Sequence, residues 1–212
     1  LVFGSVGDHT DVVPSWFGDY KDRDYAVAIV YYGDCPESPW GRLLHGSADY
    51  FASHKGGKFQ NLLWWVREHP GALRQFDYVL VPDDDIRLTP SMIGRMVRTA
   101  KQYDLPVSSP CHRWDGRISY WKHMMARGSG ARLAEPASGI ELCNFVEMTC
   151  VLFDVEALRS FLDLFSCYSD ALTGWGADWL IASACFTERH PFGVMHNIGI
   201  ANSTDRKSTR LN

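Results

Sequence analysis

No pair of cysteines in this chain has the Cys-x-x-Cys spacing, which excludes a zinc site of the usual kind. The six cysteines stand at positions 35, 111, 143, 150, 167 and 185. In a chain of 212 residues with an apolar fraction of 46% they read as reduced, half-buried thiols, which points to the cytoplasm. No apolar run approaches the roughly 20 residues that span a membrane. Neither Gly-x-x-x-x-Gly-Lys nor Gly-x-Gly-x-x-Gly occurs, so P-loop and dinucleotide-cofactor readings lack their fingerprints. Long basic tracts are missing too, and the formal net charge is −4, so nucleic acid is not an expected partner. Internal repeats and low-complexity tracts are also missing. The chain starts at Leu1 inside an apolar stretch, with no initiator Met, and reads as a fragment.

What is present is an alternation of short apolar runs and helical patterns. Leu1–Val6 reads as a strand, followed by a helix from Thr10 to Tyr20. Tyr25–Tyr32 is an uninterrupted apolar run ending at Gly33-Asp34, the pattern of a strand buried on both faces of a parallel sheet. Residues 35–57 are rich in Gly, Pro and Ser and read as a long loop. Phe59, Leu62, Leu63 and Val66 recur at helical spacing until Pro70 ends the pattern. A strand over 76–82 follows, then a helix opened by Thr89-Pro90. The first half thus reads β, α, β, α, β, α, the order of an α/β fold with a mostly parallel sheet flanked by helices. Residues 112–140 read as a long functional loop, 144–153 as a strand, 155–165 as a helix, 179–184 as a second helix, and 192–196 as a short closing strand.

Chemistry concentrates at the end of the 76–82 strand, in Asp83-Asp84-Asp85. Three adjacent carboxylates repel one another unless a cation sits among them, and a hard divalent cation takes oxygen ligands and holds phosphates. If strand geometry persists, Asp83 and Asp85 point the same way. Asp85 is therefore assigned to the metal, and Asp83 to the metal or to a donor's ribose. Asp84 is the outward or bridging member on the donor side, with Ser5 and Gly7 at the end of the first strand. An acidic turn after a strand is the alternative.

In Gly174-Trp175-Gly176-Ala177-Asp178-Trp179 the glycines allow close backbone approach and the indoles offer flat faces to a sugar. Trp175, Gly176 and Trp179 are therefore acceptor candidates. Asp178 is either a helix N-cap or a catalytic base. Glu147, a carboxylate expected inside an apolar strand, needs a partner; it is an acceptor-site or supporting residue, or half of an ion pair. His196 is a candidate metal ligand through its imidazole. Lys55, Lys58, Arg113 and Arg117 are candidate phosphate contacts.

In order along the chain, these segments resemble the GT-A fold of nucleotide-sugar glycosyltransferases. Phe76–Ile86, Phe145-Val146-Glu147-Met148 and Gly174–Asp178 together are most similar to the family called domain of unknown function 707. The resemblance covers most of residues 1–203 and implies one GT-A-like domain. It implies a nucleotide-diphospho-sugar donor, a glycan or other hydroxyl acceptor, and Mn²⁺ or Mg²⁺ as cofactor. It carries Asp83 and Asp85 over as the donor and metal motif, Asp178 as the base or an acceptor-site acid, and His196 as a further ligand. The alternatives are a non-catalytic glycan-binding module on the same scaffold and a metal-assisted phosphoester hydrolase. Residues 204–212 change composition abruptly and read as a non-native, adapter-derived tail.

Overall fold

Successive residues of each central strand alternate between two apolar layers, and this builds the molecule. The computed structural model describes residues 1–8, 10–18, 23–113, 139–171 and 176–201. Its strands are β1 (Val2–Val6), β2 (Val27–Tyr31), β3 (Tyr50–Ser53), β4 (Tyr78–Pro82), β5 (Val107–His112), β6 (Ile140–Cys143), β7 (Cys150–Asp154) and β8 (Phe192–Ile200). They form one sheet in the order β3-β2-β1-β4-β7-β5-β8-β6. Neighbours among β1 to β4 pair in parallel, as do β5 and β8. β7 lies antiparallel between β4 and β5, and β6 lies antiparallel on β8.

The helices are α1 (Pro14–Phe17), α2 (Pro39–Ser47), α3 (Lys58–Glu68), α4 (Pro90–Gln102), α5 (Val155–Ser166) and α6 (Ala177–Cys185). On one face of the sheet, Phe3, Ala28, Val30, Val79, Val81, Val151 and Phe153 pack with Leu62 and Trp65 of α3 and Leu158 and Phe161 of α5. On the other face Val2, Val27, Ile29, Leu80 and Leu152 pack with Trp16 of α1, Leu44 of α2, and Ile93 and Met96 of α4. A period of two along each strand, with both layers apolar, is what a sheet covered on both faces requires.

Helix starts follow their side chains. Thr89 accepts from the Met92 N–H at 3.3 Å, with Pro90 at the first helical position of α4. Asp154, the last residue of β7, accepts from the Ala157 N–H at 2.6 Å and so turns the strand directly into α5.

Four expectations are corrected. Residues 35–57 are not a long loop: they hold α2 and the edge strand β3. α2 buries only Gly41 and Leu44, and β3 buries no residue fully, so neither shows a periodic apolar face. The early helix is confined to Pro14–Phe17 within the described residues. The strand expected over 144–153 starts only at Cys150, opposite Pro82, because the β4 ladder ends there. The short last strand instead runs to Ile200. Its partners jump from Met195 at Pro110 to Gly199 at Cys111, so residues 196–198 form an irregular excursion.

Candidate functional site

In a sheet of this kind ligands bind beyond the C-terminal strand ends. There the ends of β1, β2, β4 and β5 meet the segment that leads into β7. Asp83, Asp84 and Asp85 follow β4 and are all half-buried. Asp84 turns inward rather than outward. Its Oδ2 accepts from the Gly7 N–H at 3.1 Å and from the Tyr32 hydroxyl at 2.8 Å. A Cβ on Gly7 would lie 2.7 Å from the Tyr32 ring, so glycine is what lets the phenol pass to Asp84. The Thr10 hydroxyl donates to the Asp84 carbonyl, and the Ile86 N–H donates to the Asp83 carbonyl at 3.1 Å, closing the turn. Behind Gly7, Tyr31 donates to Asp8; burial first, then this bond, pushes the phenol up to about 12.

Asp83 has a different partner. Lys58, the first residue of α3, places its ammonium 2.5 Å from Asp83 Oδ1 and also donates to the Met148 carbonyl. Asp83, Asp84, Lys58, Ser5, Tyr32, Gly56 and Gly57 line a cleft of about 270 Å³. The N-terminus of α3 opens onto this cleft. Behind it, Asn61 is completely buried. Its amide donates to Ser5 Oγ at 2.7 Å and to the Gly56 carbonyl at 3.0 Å, and its Oδ1 lies 2.9 Å from His54 Nδ1.

The segment Asn144–Thr149 ties the site together. The Thr149 carbonyl accepts from the Asp83 N–H at 2.7 Å, and its hydroxyl lies 3.0 Å from Nε2 of His112 at the end of β5. Met148 takes Lys58, and the Phe145 ring lies 5.0 Å from the Trp179 ring of α6. Glu147 is buried here, in irregular chain rather than in the expected strand. α6 is capped by Gly176 at φ 90°, so the cap role considered for Asp178 falls to the glycine. Asp178 lies in the first turn and accepts from the Trp179 N–H at 3.0 Å; burial raises its pKa above the usual aspartate value. Trp179 is 68% exposed.

His196 is not brought to this cluster. Its Nε2 lies 3.1 Å from Glu141 Oε2 on β6. β5 and β7 separate its strand from β4, a lateral distance of about 14 Å at the usual strand spacing. Among the described residues no three His, Cys, Asp or Glu side chains group as a metal cluster. Lys55 bonds the Tyr32 and Gly33 carbonyls and Asp34 at 2.6–2.8 Å, outside the lining of the cleft. The Arg113 N–H bonds the Ile200 carbonyl at 2.7 Å. Trp175 and Arg117 lie outside the described residues.

Sequence reasoning missed Tyr32, Asn61 and His112. Tyr32 and His112 had one visible signal each: a polar or aromatic residue ending an apolar strand at the ligand edge. Asn61 carried no signal, because it lies off the stripe that Phe59, Leu62, Leu63 and Val66 form and is buried by the contacts of its own side of α3.

Known structures share this architecture. Residues 1–349 of TarS from S. aureus match with a TM-score of 0.55 and 11% identity, covering 95% of this chain and 60% of that one. The same protein in complex with UDP-GlcNAc matches with a TM-score of 0.51 and 10% identity, covering all of this chain and 62% of that one. GalNAc-T7, solved with UDP, GalNAc and Mn²⁺, matches with a TM-score of 0.61 and 8% identity, covering 95% of this chain and 42% of that one. The chain therefore spans at most 62% of the length of these proteins. No protein-family model and no curated sequence matches it. The fold is that of the GT-A glycosyltransferases: a mixed α/β architecture with a mostly parallel eight-stranded sheet flanked by helices.

Proposed function

We propose that residues 1–203 form a metal-dependent glycosyltransferase domain that moves a sugar from a nucleotide-diphospho-sugar to an acceptor hydroxyl. The observation that carries this reading is the cleft beyond β4, where two carboxylates, a half-buried ammonium and a helix N-terminus converge. Helix N-termini and lysines favour phosphate, and carboxylates favour a hard cation. Proteins of this fold solved with UDP, UDP-GlcNAc or Mn²⁺ support the same reading.

The residues fit a divalent cation. Asp83 and Asp85 offer hard oxygen donors from one rigid tip, and the ammonium already seated on Asp83 marks the position as one that takes positive charge. Asp83 and Asp85 would hold Mn²⁺ or Mg²⁺, which when bound offsets the charge that builds on a departing diphosphate. Asp84 fixes the tip against β1 and β2 through Gly7 and Tyr32, and Ser5 and Gly56 shape the wall on the donor side. Trp179, on the Phe145 ring, offers its exposed face to a glycan acceptor, with Gly176 and Trp175 beside it in sequence. Asp178 takes the proton of the acceptor hydroxyl, and Glu147 is the second carboxylate of the reaction. The shared motifs further suggest kinship with the domain of unknown function 707.

Calorimetric titration of UDP and GDP with and without Mn²⁺ tests the reading. The expected result is metal-dependent binding of one nucleotide, lost in Asp85→Ala. Binding of neither nucleotide, by a protein that melts cooperatively, would overturn it.

A further inference from the structure

Lys58 occupies an uncomfortable place. It is the first residue of α3, an 11-residue helix, and the first turn contains no acid. A cation at a helix N-terminus is opposed by the macrodipole. The side chain is only 12% exposed, so the ammonium is largely removed from water as well. Asp83 Oδ1 and the Met148 carbonyl offset these costs, and they account for two of its three N–H donors. Both positive groups, ammonium and helix end, face the 270 Å³ cleft. That arrangement is unfavourable by itself and becomes favourable once a doubly charged anion arrives.

We propose that Lys58 is an exchangeable cation of the donor cleft. Without ligand it holds Asp83; when a nucleoside diphosphate binds, its ammonium transfers from the carboxylate to a phosphate oxygen and frees Asp83. This rests on the donor-cleft reading above and adds a specific coupling to it. An ammonium 2.5 Å from Asp83 Oδ1 competes with any divalent cation for that oxygen. Diphosphate binding relieves the competition, so each ligand favours the other through Lys58, by the same factor in both directions. The segment Asn144–Thr149 takes part, because its Met148 carbonyl is the acceptor that keeps the ammonium within reach of both positions.

The test measures two affinities separately in the wild type, Lys58→Met and Lys58→Gln. One is Mn²⁺ binding to nucleotide-free protein, read by electron paramagnetic resonance. The other is UDP binding at saturating Mn²⁺, read by calorimetry. Met keeps the length and removes the charge; Gln also keeps a hydrogen-bond donor for Met148, should Met prevent folding. The expected result is Mn²⁺ affinity raised about tenfold and UDP affinity lowered about tenfold, the worth of one charge-assisted hydrogen bond. If the wild type binds both ligands and both variants leave the two affinities within about twofold, the transferase reading stands and the exchange role is overturned. If the wild type binds neither UDP nor GDP with Mn²⁺ present, the transferase reading itself fails and this inference with it.

Discussion

Replacing Asn61 with Leu should cost about 3 kcal/mol of stability. Asn61 is completely buried on α3 and makes three side-chain contacts, to Ser5, Gly56 and His54. Leucine keeps the same branched heavy-atom skeleton with bulkier tips, so no cavity opens and the loss reflects chiefly the polar groups left behind. Ser5 is itself buried, and stranding its hydroxyl costs about 1–3 kcal/mol. Gly56 and His54 are half-buried and regain water, so each loses only the net worth of a hydrogen bond, about 0.5–1 kcal/mol. For a domain of this length the sum lowers the melting temperature by about 9 °C. Urea unfolding should show a lower midpoint at an unchanged slope. Adding Ser5→Ala to Asn61→Leu removes the stranded hydroxyl and should return about 1 kcal/mol, because deleting both partners is cheaper than deleting one. A loss below about 1 kcal/mol in the single variant, or no recovery in the double, would refute the view that this amide ties β1, β3 and the cleft loop together.

Two further outcomes follow from burial. Desolvation raises the Asp178 pKa above 3.8, so folded protein holds that proton to higher pH than unfolded chain does. Stability therefore falls as pH rises from about 4 through the folded pKa. Asp178→Asn should remove that slope and, if Asp178 is the base, the acidic limb of the kcat/KM profile too; a variant that keeps the limb would exclude it. All six cysteines are free thiols. A disulfide reagent should modify exposed Cys35 and Cys167 quickly, whereas Cys111, Cys150 and Cys185 should wait for unfolding; burial pushes the Cys150 thiol up to about 12. Rapid reaction of Cys150 in native protein would contradict the packing against β4.

The parts of the fold legible in the sequence are those governed by local periodicity. β2 and β4 are apolar at every position because both faces are covered, and Thr89-Pro90 marks a helix start by chemistry that acts within four residues. α2 and β3 were hidden because edge elements bury too little to leave a pattern. At the site, the acidic tip was visible as a run of like charge. Its partners were not: Lys58 meets Asp83 across 25 residues, and Gly7 meets Asp84 across 77. A sequence shows that three carboxylates need compensation, but which of them a lysine, a phenol or a backbone N–H supplies is decided only by how strands and helices are brought together. His196 shows the converse, since a histidine near a strand end became half of a pair with Glu141 on the outermost strand of the sheet.

The reversed direction of β7 carries a consequence for how the molecule assembles. β4 finishes at Pro82, and its neighbour on that side is supplied by Cys150–Asp154, about seventy residues later. Until then the first four strands present an open, apolar rim, the kind of surface that recruits other chains. A ribosome making this protein therefore exposes a half-finished sheet for several seconds before the strand that seals it emerges. The first four strands do not close their own sheet edge beside β4. The two halves are completed by one strand, and the segment leading into that strand is also the one that touches Lys58, Asp83, His112 and Trp179. Sealing the sheet and assembling the site are the same late event, so a chain cut before Asp154 should be caught by chaperones rather than survive as a smaller folded domain.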